Sequence, residues 1–168
     1  METHLKGKVV LITGASGGIG AEVARKFANE GAHLALHYRH GRDRARTLVE
    51  ELKGTEVLPV RADLTKEADV KKLFAQTLRH FGRVDTLIAN ASSWETREVP
   101  LERMSSRQWH KTLDNVLTCT FYTVREFLRI VARQRRGNLV LVGSTAAIFG
   151  EAGQAWTNPG PLVAHDTM

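Results

Sequence analysis

Short apolar runs and helix-like patterns alternate along the chain. The first run, Lys8–Thr13, is rich in β-branched residues and continuous, which is typical of a strand buried on both faces. Between the runs, apolar residues recur every three or four positions, as at Val70, Leu73 and Phe74, which predicts helices with one buried face. The predicted strands are Lys8–Thr13, Ala32–Tyr38, Thr55–Val60, Val84–Ala89 and Asn138–Val142. The predicted helices are Ile19–Glu30, Asp43–Leu52, Lys66–Phe81 and Ser106–Arg133.

This alternation predicts the fold class. Strands that are separated by helices pair in parallel, through right-handed crossover connections. We therefore expect a doubly wound parallel α/β sheet of about five strands, of the Rossmann-like kind, over residues 1–150. Residues 151–168 hold two of the four prolines and show neither a helical nor an alternating pattern, so we expect an irregular or disordered tail there.

Composition narrows the class of protein. The 168 residues contain one cysteine, Cys119, which excludes a disulfide framework and a multi-cysteine zinc site. No apolar stretch approaches the ~20 residues that a membrane helix needs. The amino terminus lacks the apolar run of a secretion signal. We therefore expect a cytoplasmic protein without a membrane partner.

The chain is basic, because 24 lysines and arginines stand against 18 aspartates and glutamates and give a net charge of +6. These basic residues are spread over several predicted helices, and only Arg133, Arg135 and Arg136 form a tight group, at the negative end of a helix dipole. The sequence shows neither recognition-helix spacing nor a basic stretch interleaved with aromatic residues. We expect no nucleic-acid partner, and duplex binding stays a weak alternative. The seven histidines are scattered without metal-ligand spacing, so no metal site is expected.

The strongest chemical signal is the glycine-rich segment Thr13–Gly20, which joins the first predicted strand to the first predicted helix. Glycines allow a sharp turn and a close backbone approach, and free N–H groups at a helix start attract a negatively charged diphosphate. A glycine-rich turn by itself is often only a tight loop. Its place directly after the first strand of an α/β chain favours dinucleotide binding.

This segment matches in full the T-G-x-x-x-G-x-G motif of the short-chain dehydrogenase/reductase family, and the chain resembles that family further along. Asp63-Leu64 after the third strand looks like the acidic residue that the family places near the adenine ring of the cofactor. Asn90-Ala91-Ser92 after the fourth strand is similar to the family's N-N-A-G motif. Residues 138–144 resemble its fifth strand, which ends in the active-site serine, here Ser144. The resemblance implies these cofactor-binding residues: Thr13, Gly14, Ser16, Gly17, Gly18, Ile19, Gly20, Asp63, Leu64, Asn90, Ala91 and Ser92.

Each of these matches has a purely structural alternative. Asp63 can cap the helix that begins near Lys66, Asn90 can link neighbouring backbone segments, and Ser144 can be an ordinary loop serine. Taken together, the matches favour the roles that the resemblance implies, because they occur in the family's order at the carboxyl ends of strands.

The charge at the end of the second strand bears on the choice of cofactor. Enzymes that prefer NAD offer a carboxylate to the ribose hydroxyls roughly 20 residues past the glycines. Here residues 37–40 read His-Tyr-Arg-His, the next carboxylate is Asp43, and Arg39 can pair with a 2′-phosphate. We therefore predict NADP(H) in preference to NAD(H). The alternative is that Arg39 is a solvated loop residue.

The resemblance implies catalysis by a tyrosine and by a lysine that lowers the pKa of the tyrosine. An unperturbed phenol, with a pKa near ~10, is a poor base at neutral pH. By the family's spacing these two positions fall on Thr157 and Pro161, and neither side chain can substitute. The family's active-site asparagine aligns with Val116. Asn115 lies one position earlier, about 100° around the helix, so only a helix distortion would bring it inward.

The resemblance therefore implies an NADP(H)-dependent oxidoreductase that transfers hydride to or from a small carbonyl or alcohol. Its candidate catalytic residues are Ser144 and Asn115, and we expect catalysis to be impaired. The resemblance ends near Ala155, as a truncation or frameshift before the Tyr-x-x-x-Lys element would produce. The alternatives are a non-catalytic nucleotide-binding fragment with a regulatory or interaction role, and a product that misfolds because its fifth strand and long helix are exposed. Family members assemble through the long helix and the helix after it, so the usual tetramer is not expected.

Overall fold

The computed structural model describes residues 2–93, 99 and 101–144 and has a parallel sheet at its centre. The strands are β1 (Val9–Ile12), β2 (His33–Tyr38), β3 (Val57–Arg61), β4 (Thr86–Ala89) and β5 (Asn138–Leu141). The helices are α1 (Gly18–Asn29), α2 (Arg42–Glu51), α3 (Glu67–Phe81), α4 (Ser106–Leu113) and α5 (Cys119–Gln134). The strands lie in the order β3-β2-β1-β4-β5, and every neighbouring pair is parallel. This arrangement confirms the predicted doubly wound α/β class.

The sheet reverses its strand order beside β1. Val10 of β1 pairs with Leu34 of β2 on one side and with Thr86 of β4 on the other. The chain runs outward from β1 to β2 and β3, and then crosses back to β4. Open α/β sheets bind their ligands in the crevice beyond the carboxyl ends of the strands at such a reversal. The fold therefore places the candidate site at the carboxyl ends of β1, β2 and β4.

Successive residues of β1 point to opposite faces of the sheet and enter two separate apolar cores. On one face, Val10 belongs to a buried cluster that includes Leu48 of α2. On the other face, Leu11 belongs to a cluster that includes Phe74 of α3 and Phe127 of α5. Helices therefore cover both faces of the sheet, as the continuous apolar character of the predicted strands requires.

The long predicted helix departs from regular geometry at one place. Residues Asp114–Thr118 form a π-helical turn between α4 and α5. The residues on both sides of this turn keep right-handed helical dihedral angles, so α4, the π-helical turn and α5 follow one another without a break. The predicted long helix therefore contains a distortion at this turn, which the sequence had left open beside Asn115. The other predicted elements begin and end within two residues of the observed ones.

The outer strand β5 is the most exposed part of the described sheet. Leu139, Val140 and Leu141 are 37%, 46% and 41% exposed, whereas the side chains of β1 are buried. Two large apolar residues of α5, Phe121 and Leu128, are also exposed. Exposure of this strand and of this helix was expected from the sequence.

Some predictions lie outside the described residues. They concern the tail at 151–168, the domain end at residue 150, and the positions of Thr157 and Pro161. Within the described residues, no helix is long and apolar enough to cross a lipid bilayer. Across the same residues, no group of three histidine, cysteine or acidic side chains is placed to hold a metal ion.

Candidate functional site

The first three amides of the glycine-rich turn fix it to the sheet. Thr13 N–H donates to the carbonyl of Ile88 at 3.0 Å, which ties the end of β1 to β4. Gly14 N–H donates to Nδ1 of His37 at 3.1 Å, and Ala15 N–H donates to the carbonyl of His37 at 2.9 Å. The turn is therefore bonded to β4 on one side of β1 and to β2 on the other.

The amides that come next lie at the start of a helix. α1 begins at Gly18 and has Gly17 as its N-cap, which contributes no side-chain acceptor. Ala21 N–H donates to the Gly17 carbonyl at 2.9 Å. The N–H groups before it have no acceptor inside the helix, and they carry the positive end of the helix dipole. The amides of residues 18–20 are therefore the donors that this turn offers to an anion.

Two of the motif glycines are required by the packing of the turn itself. Gly14 has a φ of 69°, and a Cβ atom there would lie 3.0 Å from Cα of Ala91. A Cβ atom on Gly20 would lie 2.4 Å from the carbonyl oxygen of Gly14. Gly18 is different, because a Cβ atom there would meet nothing within 4 Å. Packing within the described chain therefore does not account for the glycine at position 18, whereas close approach of a diphosphate to the backbone would.

Thr13 and Asn90 join the turn to the end of β4. The buried hydroxyl of Thr13 accepts the N–H groups of Asn90 and Ala91, each at 2.9 Å, and donates to the carbonyl of Ile88 at 3.3 Å. The side-chain amide of Asn90 donates to the Thr13 carbonyl at 3.0 Å. Asn90 therefore performs the structural role that the sequence left open, which is to link neighbouring backbone segments. Its contact with a cofactor stays a prediction.

An ion pair joins the ends of β2 and β3. Nη2 of Arg39 lies 3.3 Å from Oδ2 of Asp63. Oδ1 of Asp63 accepts both the hydroxyl and the N–H of Thr65, at 2.8 and 3.2 Å. Partial burial raises the pKa of Asp63, but the bonds from Thr65 and the charges of Arg39 and Lys66 outweigh it, so the pKa lies below its ordinary value. Asp63 is thus a carboxylate at neutral pH, whereas the side chain of the next residue, Leu64, is buried in the core.

Asp63 does not cap α3. The N-cap of that helix is Lys66, which makes no side-chain cap bond, and Asp63 closes a short turn with Thr65 just before it. The structure therefore leaves the second carboxylate oxygen of Asp63 directed to Arg39 rather than to the start of a helix.

The π-helical turn brings Asn115 to Arg39. Oδ1 of Asn115 accepts from Nη1 of Arg39 at 2.8 Å, and its Nδ2 donates to the Lys111 carbonyl at 2.7 Å. Val116, which aligns with the family's active-site asparagine, is buried. The helix is therefore distorted at Asn115, and the side chain of Asn115 bonds to Arg39, which directly follows β2. A catalytic role for Asn115 stays a prediction.

The remaining predicted residues lie at the carboxyl edge of the same sheet. The hydroxyl of Ser16 donates to the carbonyl of His40 at 3.2 Å. Ile19, in the first turn of α1, is 63% exposed although it is apolar. Ser92 is exposed after β4, and the half-buried Ser144 follows β5. Direct cofactor contact of these residues and the role of Ser144 stay predictions.

His37 is a residue of this site that the sequence did not single out. It is 2% exposed, and its Nε2 lies 3.1 Å from the carbonyl oxygen of Ala62, while its Nδ1 accepts the Gly14 amide. The available signal was a histidine near the carboxyl end of the predicted strand Ala32–Tyr38, directly after the apolar residues 34–36. A buried histidine at that place has to find hydrogen-bond partners, and here they are the turn and the end of β3.

This geometry suits an elongated anionic ligand. The start of α1 offers amide donors and the positive end of a dipole. Arg39 offers a guanidinium that is 41% exposed, at the end of the neighbouring strand β2. The two positive features lie at the crevice where the strand order reverses.

The chain is similar in sequence and in structure to known dehydrogenases and reductases. The sequence profile described as short chain dehydrogenase matches residues 8–156. The 3-oxoacyl-(acyl-carrier-protein) reductase FabG of Staphylococcus epidermidis is 34% identical over 150 residues, which cover 88% of this chain and 61% of that protein. The solved structure of NAD+-bound xylitol dehydrogenase has a TM-score of 0.86 at 28% identity, over 92% of this chain and 60% of that one. NADPH-dependent 3-quinuclidinone reductase from Rhodotorula rubra has a TM-score of 0.77 at 33% identity, over 86% of this chain and 55% of that one.

The matched region contains the whole described sheet and the glycine-rich turn. The chain spans about three fifths of the length of the curated relatives it matches. Because the profile covers most of the chain and agrees with the glycine motif, the strand order and the identity to these relatives, the chain belongs to the short-chain dehydrogenase/reductase family.

Proposed function

We propose that this chain binds NADP(H) in the manner of a short-chain oxidoreductase and that catalysis is impaired in the sequence as it stands. The observation that carries the proposal is the turn Thr13–Gly20, whose helix-start amides lie at the strand-order reversal. A nicotinamide cofactor, when bound, supplies or accepts the hydride. The chain's own residues bind and orient the cofactor.

The residues of the turn fit a diphosphate. The amides of residues 18–20 can donate to its oxygens, and the helix dipole favours its negative charge. The space at Gly18 leaves room for a group to approach the backbone. Gly14 packs against Ala91 at the end of β4 and Gly20 packs against Gly14, so these two glycines shape the turn, whereas the space at Gly18 is left for the ligand.

The preference for NADP(H) over NAD(H) rests on Arg39. Its half-exposed guanidinium is held after β2 by Oδ2 of Asp63 and by Oδ1 of Asn115. A guanidinium forms charge-assisted, bidentate hydrogen bonds with a phosphate, whereas a ribose hydroxyl gains more from a carboxylate. Asp63 contacts Nη2 and Asn115 contacts Nη1, and the side chain of Arg39 is still 41% exposed, so a 2′-phosphate can approach it from solvent.

Calorimetric titration with NADP+ and NAD+ tests this preference. We expect NADP+ to bind more tightly than NAD+, and Arg39→Ala to weaken NADP+ binding about tenfold or more, because a hydrogen bond to a charged group contributes roughly 1.5–3 kcal/mol. The variant should leave NAD+ binding nearly unchanged. Arg46→Ala is the matched control, because the Arg46 side chain is 80% exposed and pairs only locally with Glu50. Tighter binding of NAD+ by the natural sequence would contradict the preference.

Impaired catalysis rests on the residues at the family's tyrosine and lysine positions. The sequence has Thr157 and Pro161 there, and no lysine follows Lys111. A threonine hydroxyl is a far weaker acid than a phenol, and proline carries no charge to lower a neighbouring pKa. Ser144 can hold a substrate oxygen by a hydrogen bond, but it does not supply the missing proton transfer at neutral pH.

NADPH oxidation with a panel of ketones, imines and acyl thioesters tests the impairment. Acyl thioesters belong in the panel because similar proteins are named as 3-oxoacyl-(acyl-carrier-protein) reductases. We expect no turnover above a control without protein, although NADP+ binds. Clear turnover would show that the proposed impairment is wrong. Recovery of turnover by the double variant Thr157→Tyr with Pro161→Lys would identify these two positions as its cause.

A further inference from the structure

His37 stands between the glycine-rich turn and the end of β3. It is the next-to-last residue of β2, and its side chain is 2% exposed. Nδ1 accepts the N–H of Gly14 at 3.1 Å, and Nε2 lies 3.1 Å from the carbonyl oxygen of Ala62. The His37 carbonyl accepts the next amide of the turn, from Ala15, at 2.9 Å. Both the side chain and the backbone of His37 therefore bond to the turn.

We propose that His37 is a positioning residue for the cofactor, which sets the start of α1 by binding the Gly14 amide through Nδ1. This inference rests on the proposed nucleotide-binding function. His37 acts through the turn and makes no contact with the cofactor in this proposal.

The hydrogen bonds determine one protonation state of the ring. Because the Gly14 amide is a donor, Nδ1 has to be the unprotonated acceptor, and because the Ala62 carbonyl is an acceptor, Nε2 has to carry the hydrogen. Burial lowers the pKa of His37, with a smaller contribution from the positive charge of Arg39; against the opposing effects of the Ala62 carbonyl and of Asp63, the result is a pKa of about 4. The neutral Nε2–H form is therefore the form present at neutral pH.

One further hydrogen bond links Gly14 to the start of α1. The Gly14 carbonyl accepts the N–H of Gly17 at 3.0 Å, and Gly17 is the N-cap of α1. Gly14 itself has a φ of 69°, which a glycine adopts as one of several accessible conformations. The bond to His37 selects this conformation of Gly14. The position of Gly14 in turn determines the positions of Gly17 and of the amides at the start of α1. Loss of the Nδ1 acceptor would leave the partly buried Gly14 amide without this partner and would allow the turn to relax away from the geometry that binds a diphosphate.

Three variants of the full chain, titrated with NADP+ at pH 7, test the proposal. His37→Leu keeps the bulk and removes the acceptor, and we expect it to weaken NADP+ binding about tenfold or more, as the loss of a buried partner predicts. His37→Asn places an amide oxygen near the former Nδ1, and it should recover most of the lost affinity. Leu34→Ala is the control, because Leu34 is buried on the same strand but does not bond to the turn. It should destabilise the fold and change NADP+ affinity no more than about threefold.

Amide hydrogen exchange at Gly14 gives a second readout that needs no ligand. We expect strong protection in the natural sequence and in His37→Asn, and faster exchange in His37→Leu relative to the amides of β1. Equal affinity of His37→Leu and the natural sequence would overturn the proposal, and so would an equal loss in Leu34→Ala or unchanged Gly14 protection in His37→Leu. If the natural sequence binds neither NADP+ nor NAD+, the proposed function fails, and the exchange rates alone then decide whether His37 orders the turn.

Discussion

The carboxyl ends of β1, β2 and β4 differ sharply from the carboxyl end of β5, although all four belong to one sheet. At the first three, Thr13 and His37 are each 2% exposed, and every hydrogen bond of their side chains joins two different elements. At β5, the apolar side chains from Leu139 to Val142 are between 37% and 46% exposed. Hydrogen bonds join the ends of β1, β2 and β4, which we call the nucleotide side after the site proposed there, whereas the β5 side, which carries Ser144, is exposed.

This difference separates binding from catalysis. The residues that shape the proposed nucleotide site come from the first three βα units and the end of β4, and hydrogen bonds link the turn to the ends of β2 and β4. As proposed above, the positions of the family's proton-transferring tyrosine and lysine fall on Thr157 and Pro161, which lie outside the described residues. We therefore expect perturbations of the glycine-rich turn to have large effects and perturbations of the β5 side to have small ones.

Substitution of Gly20 by alanine should lower the stability of the fold, whereas substitution of Gly18 by alanine should weaken the binding of NADP+. The added methyl group of Gly20→Ala would lie 2.4 Å from a backbone oxygen, so we expect a loss of about 3 kcal/mol in the free energy of unfolding. Gly18→Ala meets open space and should change stability by less than about 1 kcal/mol, yet weaken NADP+ binding about tenfold or more. Urea unfolding and calorimetry measure both quantities. Normal NADP+ binding by Gly18→Ala would show that the space at position 18 is not used by the ligand.

The buried imidazole should make the nucleotide side sensitive to acid. Because the pKa of His37 is about 4 in the folded chain and 6.5 without burial, the unfolded chain takes up the proton first as the pH falls. Stability is therefore lost between about pH 6.5 and pH 4, and the loss due to His37 at pH 4.5 should be roughly 2 to 3 kcal/mol relative to pH 7.

Urea unfolding at the two pH values measures this loss. His37→Asn has no titrating group there, so its drop in stability between pH 7 and pH 4.5 should be smaller than that of the natural sequence by the amount attributed to His37. An equal loss of unfolding free energy in the two proteins would show that the His37 ring takes up a proton in the folded chain as readily as in the unfolded chain.

The sequence was sufficient to predict the sheet, because its strands, including the exposed strand β5, appear as short apolar runs between helical patterns. It was also sufficient to predict the turn Thr13–Gly20, since a dense run of glycines directly after the first strand of an α/β chain indicates a tight turn into a helix. The strand order was not predicted, because the handedness of the connections does not determine on which side of β1 each later strand lies.

The sequence was not sufficient where a side chain finds a distant partner. The bond between Arg39 and Asn115 joins residues 76 positions apart and depends on a π-helical turn that no local pattern indicated. The role of His37 depends on the positions of the Gly14 amide and the Ala62 carbonyl, which only the assembled sheet brings together. For the same reason, Thr13 was predicted as part of a motif, and its function as an acceptor for two amides of the β4 end became evident only in the structure.

Thr13→Val should weaken the link between β1 and β4 while it keeps the shape of the side chain. The hydroxyl oxygen accepts two amides, at Asn90 and Ala91, and valine leaves both without this acceptor. We expect a loss of about 2 kcal/mol in the free energy of unfolding, by urea titration. Thr13→Ser keeps the oxygen and should lose less than about 1 kcal/mol. A larger loss in the serine variant would assign the effect to the methyl group instead.

The smallest effect is expected on the open side of the molecule, at Leu128 of α5. This side chain is 51% exposed, whereas its neighbour Phe127 is 1% exposed and belongs to the core, so the two residues mark the boundary between the open helix face and the packed one. Leu128→Lys should change the free energy of unfolding by less than about 0.5 kcal/mol, because substitutions at exposed positions rarely do more. It should also raise the protein concentration at which aggregation begins, because it divides an apolar surface with a charge. Leu128→Ala is the control that removes the apolar group without adding charge. A loss above about 1 kcal/mol in both variants would mean that this face is covered in the folded protein, and the β5 side would then be as well packed as the nucleotide side.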